Sequence, residues 1–148
     1  MLRRFVALLA LVYCAGAIAQ SMDQTPPRAV SSEKLATYWT MLNSSVGADV
    51  PNNGKNMQQP GCATVSFVIE SNGTTSNIKV QRVVPEGDLG KVAASVAQGL
   101  HFGATAFNAG KQRVFSWLIF PFNLPTDHAA QTAIMQKCLI KNLAWKDH

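Results

Sequence analysis

Charged and reactive side chains are scarce in this sequence. Charged residues make up 14% of its 148 residues, and it has only three cysteines and three histidines. The positive residues are scattered, which argues against a nucleic-acid-binding surface. The histidines lack the spacing of zinc ligands, and no Gly-x-Ser-x-Gly motif marks a nucleophile. The sequence therefore predicts no enzyme, no catalytic residues, and no metal or other cofactor.

The first nineteen residues have the pattern of a secretory signal peptide. Arg3 and Arg4 precede an uncharged run, and Ala17-Ile18-Ala19 supplies the small-x-small pattern of a cleavage site. The run is shorter than the roughly 20 residues that a membrane-spanning helix needs. We therefore expect an exported chain that starts at Gln20, with a formal charge of +3 in place of +5. An uncleaved membrane anchor is the alternative.

Cleavage would also change the cysteine count. It removes Cys14 and leaves Cys62 and Cys138. Two cysteines in an oxidising compartment predict one disulfide bond. Two free, buried thiols are the alternative.

Residues 61–83 have the pattern of a β-hairpin. Two alternating stretches flank Asn72-Gly73, a residue pair that suits the centre of a type I′ turn. Such a turn would place Val65 opposite Val80 and gather the apolar side chains on one face. The opposite face is mostly polar. The hairpin is therefore expected to bury one face only.

Three helices and a third strand are expected around the hairpin. An apolar stripe predicts a short helix over residues 33–42, and the strongest helical periodicity follows Asp88, from Leu89 to Leu100. Residues 113–124 form a strand that is apolar on both faces. A final, moderately amphipathic helix is predicted over residues 126–146.

These elements predict one small α+β domain. Residues 1–19 are the signal peptide, 20–60 a flexible leader with the short helix and a loop, 61–124 the domain, and 126–146 a C-terminal helix. Since a helix joins the second and third strands, an all-antiparallel sheet must have the order 2-1-3. The helices are expected to pack on one face. The third strand is then a sheet edge, whose unpaired N–H and C=O groups can template a partner strand.

Three segments resemble the C-terminal domain of TonB, the periplasmic energy transducer of Gram-negative bacteria. They are "ATVSFVIESNGTTSNIKV", the helix "DLGKVAASVAQGLHF" and the strand "KQRVFSWLIFPF". Leu100 and Phe102 take the places where the family has an aromatic-x-aromatic unit, so the usual tryptophan is leucine here. The proline expected just after Phe102 is absent. The final helix and the cysteine pair look like additions.

The resemblance implies a periplasmic binding module rather than an enzyme. In the family, the edge of the third strand receives a short segment of an outer-membrane transporter by strand addition. The partner-binding residues implied here are Arg113, Val114, Phe115, Ser116, Trp117, Leu118 and Ile119. A homodimer through the same edge is a variant of this hypothesis.

Two other functions remain open from the sequence. The chain could be a disulfide-stapled structural protein of the envelope, with the apolar side chains of the third strand packed under the C-terminal helix. It could also be a membrane-anchored energy transducer if the N-terminal segment is retained.

Overall fold

The computed structural model describes residues 25–43 and 45–145, so the predicted signal peptide lies outside the described residues. Six strands and three helices follow one another in this part of the chain. The strands are β1 (Arg28–Ala29), β2 (Trp39–Met41), β3 (Gly61–Ile69), β4 (Thr75–Val84), β5 (Phe102–Ala104) and β6 (Val114–Phe122). The helices are α1 (Leu35–Tyr38), α2 (Leu89–Gln98) and α3 (His128–Cys138), with short 3-10 turns at Ser32–Lys34 and Ala106–Asn108. None of the helices in the described ranges is both long and apolar enough to cross a membrane.

The main sheet has four strands in the order β1-β6-β3-β4. β3 pairs antiparallel with β4 and with β6, as the order 2-1-3 predicts. β1 adds to the other side of β6 and runs parallel to it. The prediction of a three-stranded, wholly antiparallel sheet is therefore wrong, because part of the expected leader joins the sheet as a fourth strand. A separate two-stranded ribbon pairs β2 with β5.

The turn of the hairpin differs from the expected type I′ turn. Gly73 donates its N–H to the carbonyl of Glu70 (2.8 Å), and Glu70 donates to the carbonyl of Thr74 (2.9 Å). Gly73 has φ +83°, whereas Asn72 is not in the left-handed region. These bonds define a three-residue loop with glycine at its left-handed position. The Asn72 side chain accepts from the backbone N–H of Thr74 (3.0 Å), which fixes the loop.

Two β-bulges shift the register along the hairpin. Val65 pairs with Val80 as predicted, but the pairing shifts between Thr64 and Val65 and again between Ser66 and Val68. Asn77, at the second bulge, has φ +49°, which asparagine tolerates better than most residues. An extra residue at a bulge strengthens the local twist of the strand. β4 is consequently an irregular strand.

β3 is buried on both faces. All nine of its residues are buried, because side chains of successive residues point to opposite faces and both faces are covered. One face carries Ala63, Val65, Phe67 and Ile69, which join the main core. The other carries Cys62, Thr64, Ser66 and Val68. The expectation that the hairpin buries one face only is therefore wrong for β3.

Helix α2 covers the first face of the sheet. It spans ten residues, and Leu89, Val92, Ala93 and Ala97 are buried in it. The small side chains of Ala93 and Ala97 let α2 approach β3 and β4 closely. Phe67 stacks on Phe102 at a centroid distance of 6.0 Å at this face. Trp39, the first residue of β2, is 2% exposed and donates Nε1–H to the carbonyl of Gln112 (3.2 Å).

The opposite face is covered by the C-terminal part of the chain. Cys138, at the end of α3, forms the predicted disulfide with Cys62 of β3, and both are fully buried. The hydroxyl of Thr64 donates to the carbonyl of Cys138 (2.5 Å), and Arg82 donates to the carbonyl of Leu139 (3.1 Å). Helices therefore lie on both faces of the sheet, because the additional C-terminal helix α3 packs on the face opposite α2.

Two predicted helices are shorter than expected. Helical turns occupy residues 32–38, and the chain then becomes β2, because Trp39–Met41 pair with β5. α3 ends at Cys138 instead of near residue 146. Residues 139–145 continue without helical structure; we call them the C-terminal segment.

The region expected to be a flexible leader is tied to the domain at several points. Asp49 donates its backbone N–H to the hydroxyl of Ser95 (2.9 Å). Lys55 donates to the carboxylate of Asp88 (2.7 Å). That bond and a 2.7 Å ion pair from Lys91 hold the Asp88 carboxylate just ahead of α2. These contacts lower the pKa of Asp88. The hydrogen bond from the Lys91 side chain has the largest effect, and the one from the Lys55 backbone has the next largest.

Removing the disulfide should destabilise the fold strongly. The bond joins residues 76 positions apart. Closing a loop of that length lowers the conformational entropy of the unfolded chain and so raises its free energy by about 4 kcal/mol. We expect the double variant Cys62→Ala/Cys138→Ala to lose about that much unfolding free energy in urea denaturation.

Reduced wild-type protein provides the control, because it loses the cross-link and keeps the sulfur atoms. It should lose nearly as much stability as the double variant. A loss below about 1 kcal/mol in both proteins would show that the cross-link does not stabilise the fold.

Candidate functional site

The candidate site is the side of β6 that faces away from β3. Arg28 donates its N–H to the carbonyl of Arg113 (2.9 Å), and Val30 donates to the carbonyl of Phe115 (2.9 Å). Residues 113 and 115 therefore direct their backbone groups away from β3. Because this direction alternates along a strand, Trp117, Ile119 and Pro121 must do the same. We call the outward backbone groups of these five odd-numbered residues the β6 edge.

The first part of the β6 edge is already occupied. β1 pairs Arg28 with Val114 and Ala29 with Phe115. We call residues 25–30 the N-terminal arm. The predicted binding segment 113–119 is thus only partly open, since the arm fills the edge at its first three residues. This pairing is the feature of the site that sequence reasoning missed.

The second part of the β6 edge has no partner strand among the described residues. Beyond Phe115, β6 pairs only with β3. Trp117 and Ile119 each present an N–H and a C=O there, whereas Pro121 presents only a C=O because proline has no N–H. The nitrogen of Pro121 faces away from β3, so the pairing of β6 with β3 loses no hydrogen bond there. Two N–H groups and three C=O groups thus point outward along this part of the edge.

β6 is also regular and free of charge. Its pairing with β3 runs through nine consecutive residue pairs without a bulge. No charged side chain occurs between Val114 and Phe122. Natural sheet edges are commonly protected by charges, bulges or proline. Here the protection consists of the N-terminal arm at one end and Pro121 at the other.

The opposite edge of the sheet, on β4, is protected in the usual way. It contains two bulges and carries Lys79 and Arg82. Bulges and lysine on an edge strand both discourage pairing with another chain. Of the two edges, the β6 edge is therefore the better template for strand addition.

Two aromatic side chains of β6, those of Phe115 and Trp117, are buried. Phe115 is 4% exposed and Trp117 is 5% exposed. They lie on the face with the disulfide, because their β3 partners are Val68 and Ser66. The ring of Trp145, from the C-terminal segment, lies 5.3 Å from the ring of Phe115. The C-terminal segment thus covers a face of β6, and its residues 141–143 also lie near Trp117.

A small notch marks the boundary between the two parts of the edge. It has a volume of about 200 Å³ and is lined by Ala29, Val30, Ser31, Trp117 and residues 141–143. The notch lies between the end of the N-terminal arm and Trp117. A strand added at Trp117 could place one small side chain there.

An ion pair fixes the beginning of β6. Arg113 Nε lies 2.6 Å from a carboxylate oxygen of Glu70, and both side chains are largely shielded from solvent. Arg113 also donates through Nη1 to the carbonyl of Thr25 (3.3 Å). Arg113 therefore links the hairpin turn to the N-terminal arm, which is a structural role for a residue that the sequence assigned to partner binding.

The remaining predicted site residues point to the core. Val114, Ser116 and Leu118 share the face of Phe67 and α2. Val114 and Ser116 are fully buried, and the Ser116 hydroxyl has no hydrogen-bond partner among the described residues. Their side chains support the strand and are not available to a partner. Trp117 and Ile119 are the predicted site residues whose outward backbone groups have no partner strand among the described residues; Trp117 is buried and Ile119 is half-buried.

The fold was compared with known proteins. No protein-family model and no curated protein sequence matches the chain. Among solved structures, the solution NMR structure of the Pseudomonas aeruginosa TonB C-terminal domain is similar, with 19% sequence identity and a TM-score of 0.44. The aligned region covers 67% of this chain and 97% of that one.

The open part of the β6 edge can be tested by amide hydrogen exchange. The N–H groups of Trp117 and Ile119 point away from β3 and have no acceptor among the described residues, whereas that of Leu118 points to β3. We therefore expect Trp117 and Ile119 to exchange much faster than Leu118. Equal protection of all three amides would show that another strand already covers this edge.

Proposed function

We propose that the chain is an exported, TonB-like, non-enzymatic domain that binds an extended segment of another protein at the β6 edge. The observation that carries this proposal is the regular, uncharged backbone of β6 from Trp117 to Pro121, whose outward groups have no partner strand in the described part of the chain. A partner strand would extend the sheet by hydrogen-bonding to these groups. Main-chain bonds supply the affinity in this mode of recognition.

The proposed partner is a periplasmic segment of an outer-membrane transporter. This choice follows from the resemblance of residues 61–124 to the TonB C-terminal domain, in which the equivalent edge binds such a segment. The proposal therefore places the mature chain in the periplasm and links it to TonB-dependent transport. The hydrogen-bonding groups of the edge are backbone atoms, so binding should tolerate a range of partner sequences.

A structural role without a peptide site is the second candidate. It is favoured by the burial of Phe115 and Trp117, which are 4% and 5% exposed. A strand added beside them would gain backbone bonds but little apolar contact with these two rings. In this case the disulfide and the C-terminal segment would serve stability alone.

Peptide titration followed by amide NMR separates the two candidates. Short synthetic peptides copied from periplasmic segments of outer-membrane transporters are added to the mature chain. We expect the largest shifts at the amides of Trp117 and Ile119, because these donate to the new strand. Absence of shifts at millimolar peptide would contradict peptide binding, and shifts confined to β4 would place the site at the wrong edge.

A proline substitution provides a sharper test of the same edge. Ile119→Pro removes one outward N–H and leaves the bonds of β6 to β3, as Pro121 already does two residues later. We expect peptide affinity to fall about tenfold, the effect of losing a hydrogen bond and obstructing its site.

Ile119→Val is the matched control, because it keeps the N–H and a β-branched side chain. Circular dichroism should be the same for both variants and the wild type. Equal peptide affinity for Ile119→Pro and Ile119→Val would contradict binding at this edge. Sedimentation of the free chain checks whether a second copy already occupies it.

A further inference from the structure

The N-terminal arm and the proposed partner require the same backbone groups. β1 occupies the β6 edge at Arg113 and Phe115, and the open part begins at Trp117. A partner strand confined to residues 117–121 can bind beside the arm. A longer strand that continues toward residue 113 collides with Ala29 and Val30. We propose that the N-terminal arm is an intramolecular competitor that limits strand addition at the β6 edge. This inference rests on the proposed function.

Backbone hydrogen bonds and side-chain contacts hold the arm against the domain. β1 is only two residues long, and both of its side chains are exposed. Arg28 and Val30 each donate a hydrogen bond of 2.9 Å to the strand, and Arg28 also accepts from the N–H of Phe115 in the parallel ladder. Arg113 Nη1 donates to the carbonyl of Thr25 (3.3 Å). The guanidinium of Arg28 also lies 5.2 Å from the centroid of the Tyr38 ring, a cation–π contact of modest strength.

Val30 is the natural end of the part that can detach. It is 5% exposed and belongs to the main core, and it is followed directly by the turn at Ser32–Lys34. Because its N–H bonds to the carbonyl of Phe115, Val30 has to leave β6 together with residues 25–29 for the whole edge to open. The arm carries Pro26-Pro27, which favours an extended backbone and reduces the entropy lost when it docks.

Detachment of the arm would enlarge the binding edge considerably. It would release the carbonyls of Arg113 and Phe115, and also the N–H of Phe115, which faces the carbonyl of Arg28 in the parallel ladder. A partner strand could then pair along residues 113–121 in place of 117–121. Partner affinity should therefore depend on how often the arm is detached, since only that fraction of molecules offers the full edge.

The chain offers a matched pair of variants for the test. Arg28→Pro removes the N–H that bonds to Arg113, whereas Ala29→Pro removes an N–H that no described group accepts. Both add one proline to an extended, exposed segment. Arg28→Ala removes the contact with Tyr38 and keeps the N–H, so it isolates the cation–π contribution.

Two readouts are measured on the mature chain: exchange of the Phe115 amide, and affinity for the transporter peptides of the preceding subsection. Arg28→Pro should accelerate exchange at Phe115 and raise peptide affinity about tenfold, the effect expected from losing one backbone bond of the competitor. Ala29→Pro should leave both quantities within about twofold of the wild type.

The possible failures are distinguishable. If Arg28→Pro accelerates exchange at Phe115 while peptide affinity stays equal in all variants, the competitor role is wrong and the proposed function stands. The competitor role is also overturned if Arg28→Pro does not accelerate exchange at Phe115. If no variant binds any peptide, the proposed function is wrong and the competitor role with it.

Discussion

The fold depends on the burial of β3 from both faces. All nine residues of this strand are buried. Each of the other major elements lies where it covers one face or one backbone edge of β3. α2 covers the face of Val65 and Phe67, and the C-terminal part of the chain covers the face of Cys62 and Thr64. β4 and β6 satisfy the two backbone edges of β3. The disulfide acts at the same strand, because Cys62 binds the covering layer directly to it.

The two strands that flank β3, β4 and β6, differ in regularity and charge. β4 is bulged and charged, whereas β6 is regular and uncharged along its whole length. The arm at residues 25–30 pairs with the first part of β6, up to Phe115, and the outer side of the rest of β6 has no partner strand among the described residues. An open edge of this kind is a liability for aggregation unless it has a use. The asymmetry between the two strands is therefore the physical basis for the proposal that a partner strand binds at β6.

Sequence patterns predicted the elements that have strong periodicity or strong chemistry. The hairpin, α2, the third strand and the cysteine pair were all recognisable, because alternation, helical spacing and an oxidising compartment are local or compositional signals. The pairing of Val65 with Val80 is confirmed. The order of β4, β3 and β6 followed from connectivity alone. The position of the binding edge on β6 follows from the same order and stays a prediction.

The elements that were missed depend on contacts distant in sequence. β1 has only two residues and follows a proline pair, so its sequence has no periodicity that would predict a strand. It is a strand because it pairs with β6. Leu35 and Trp39 have helical spacing, yet Trp39 begins a strand because β5 pairs with it. The bulge at Asn77 and the end of α3 at Cys138 are likewise set by packing. For the site, sequence identified β6 but could not show that its side chains are buried and that the arm occupies its first part.

The most direct test of the central claim is the structure of the chain with a bound transporter peptide, determined by NMR from contacts between peptide and protein. The account predicts short backbone contacts between the peptide and both Trp117 and Ile119, with the peptide extended as a further strand of the sheet. Backbone contacts at β4, or a peptide bound only to side chains on a helix, would contradict it.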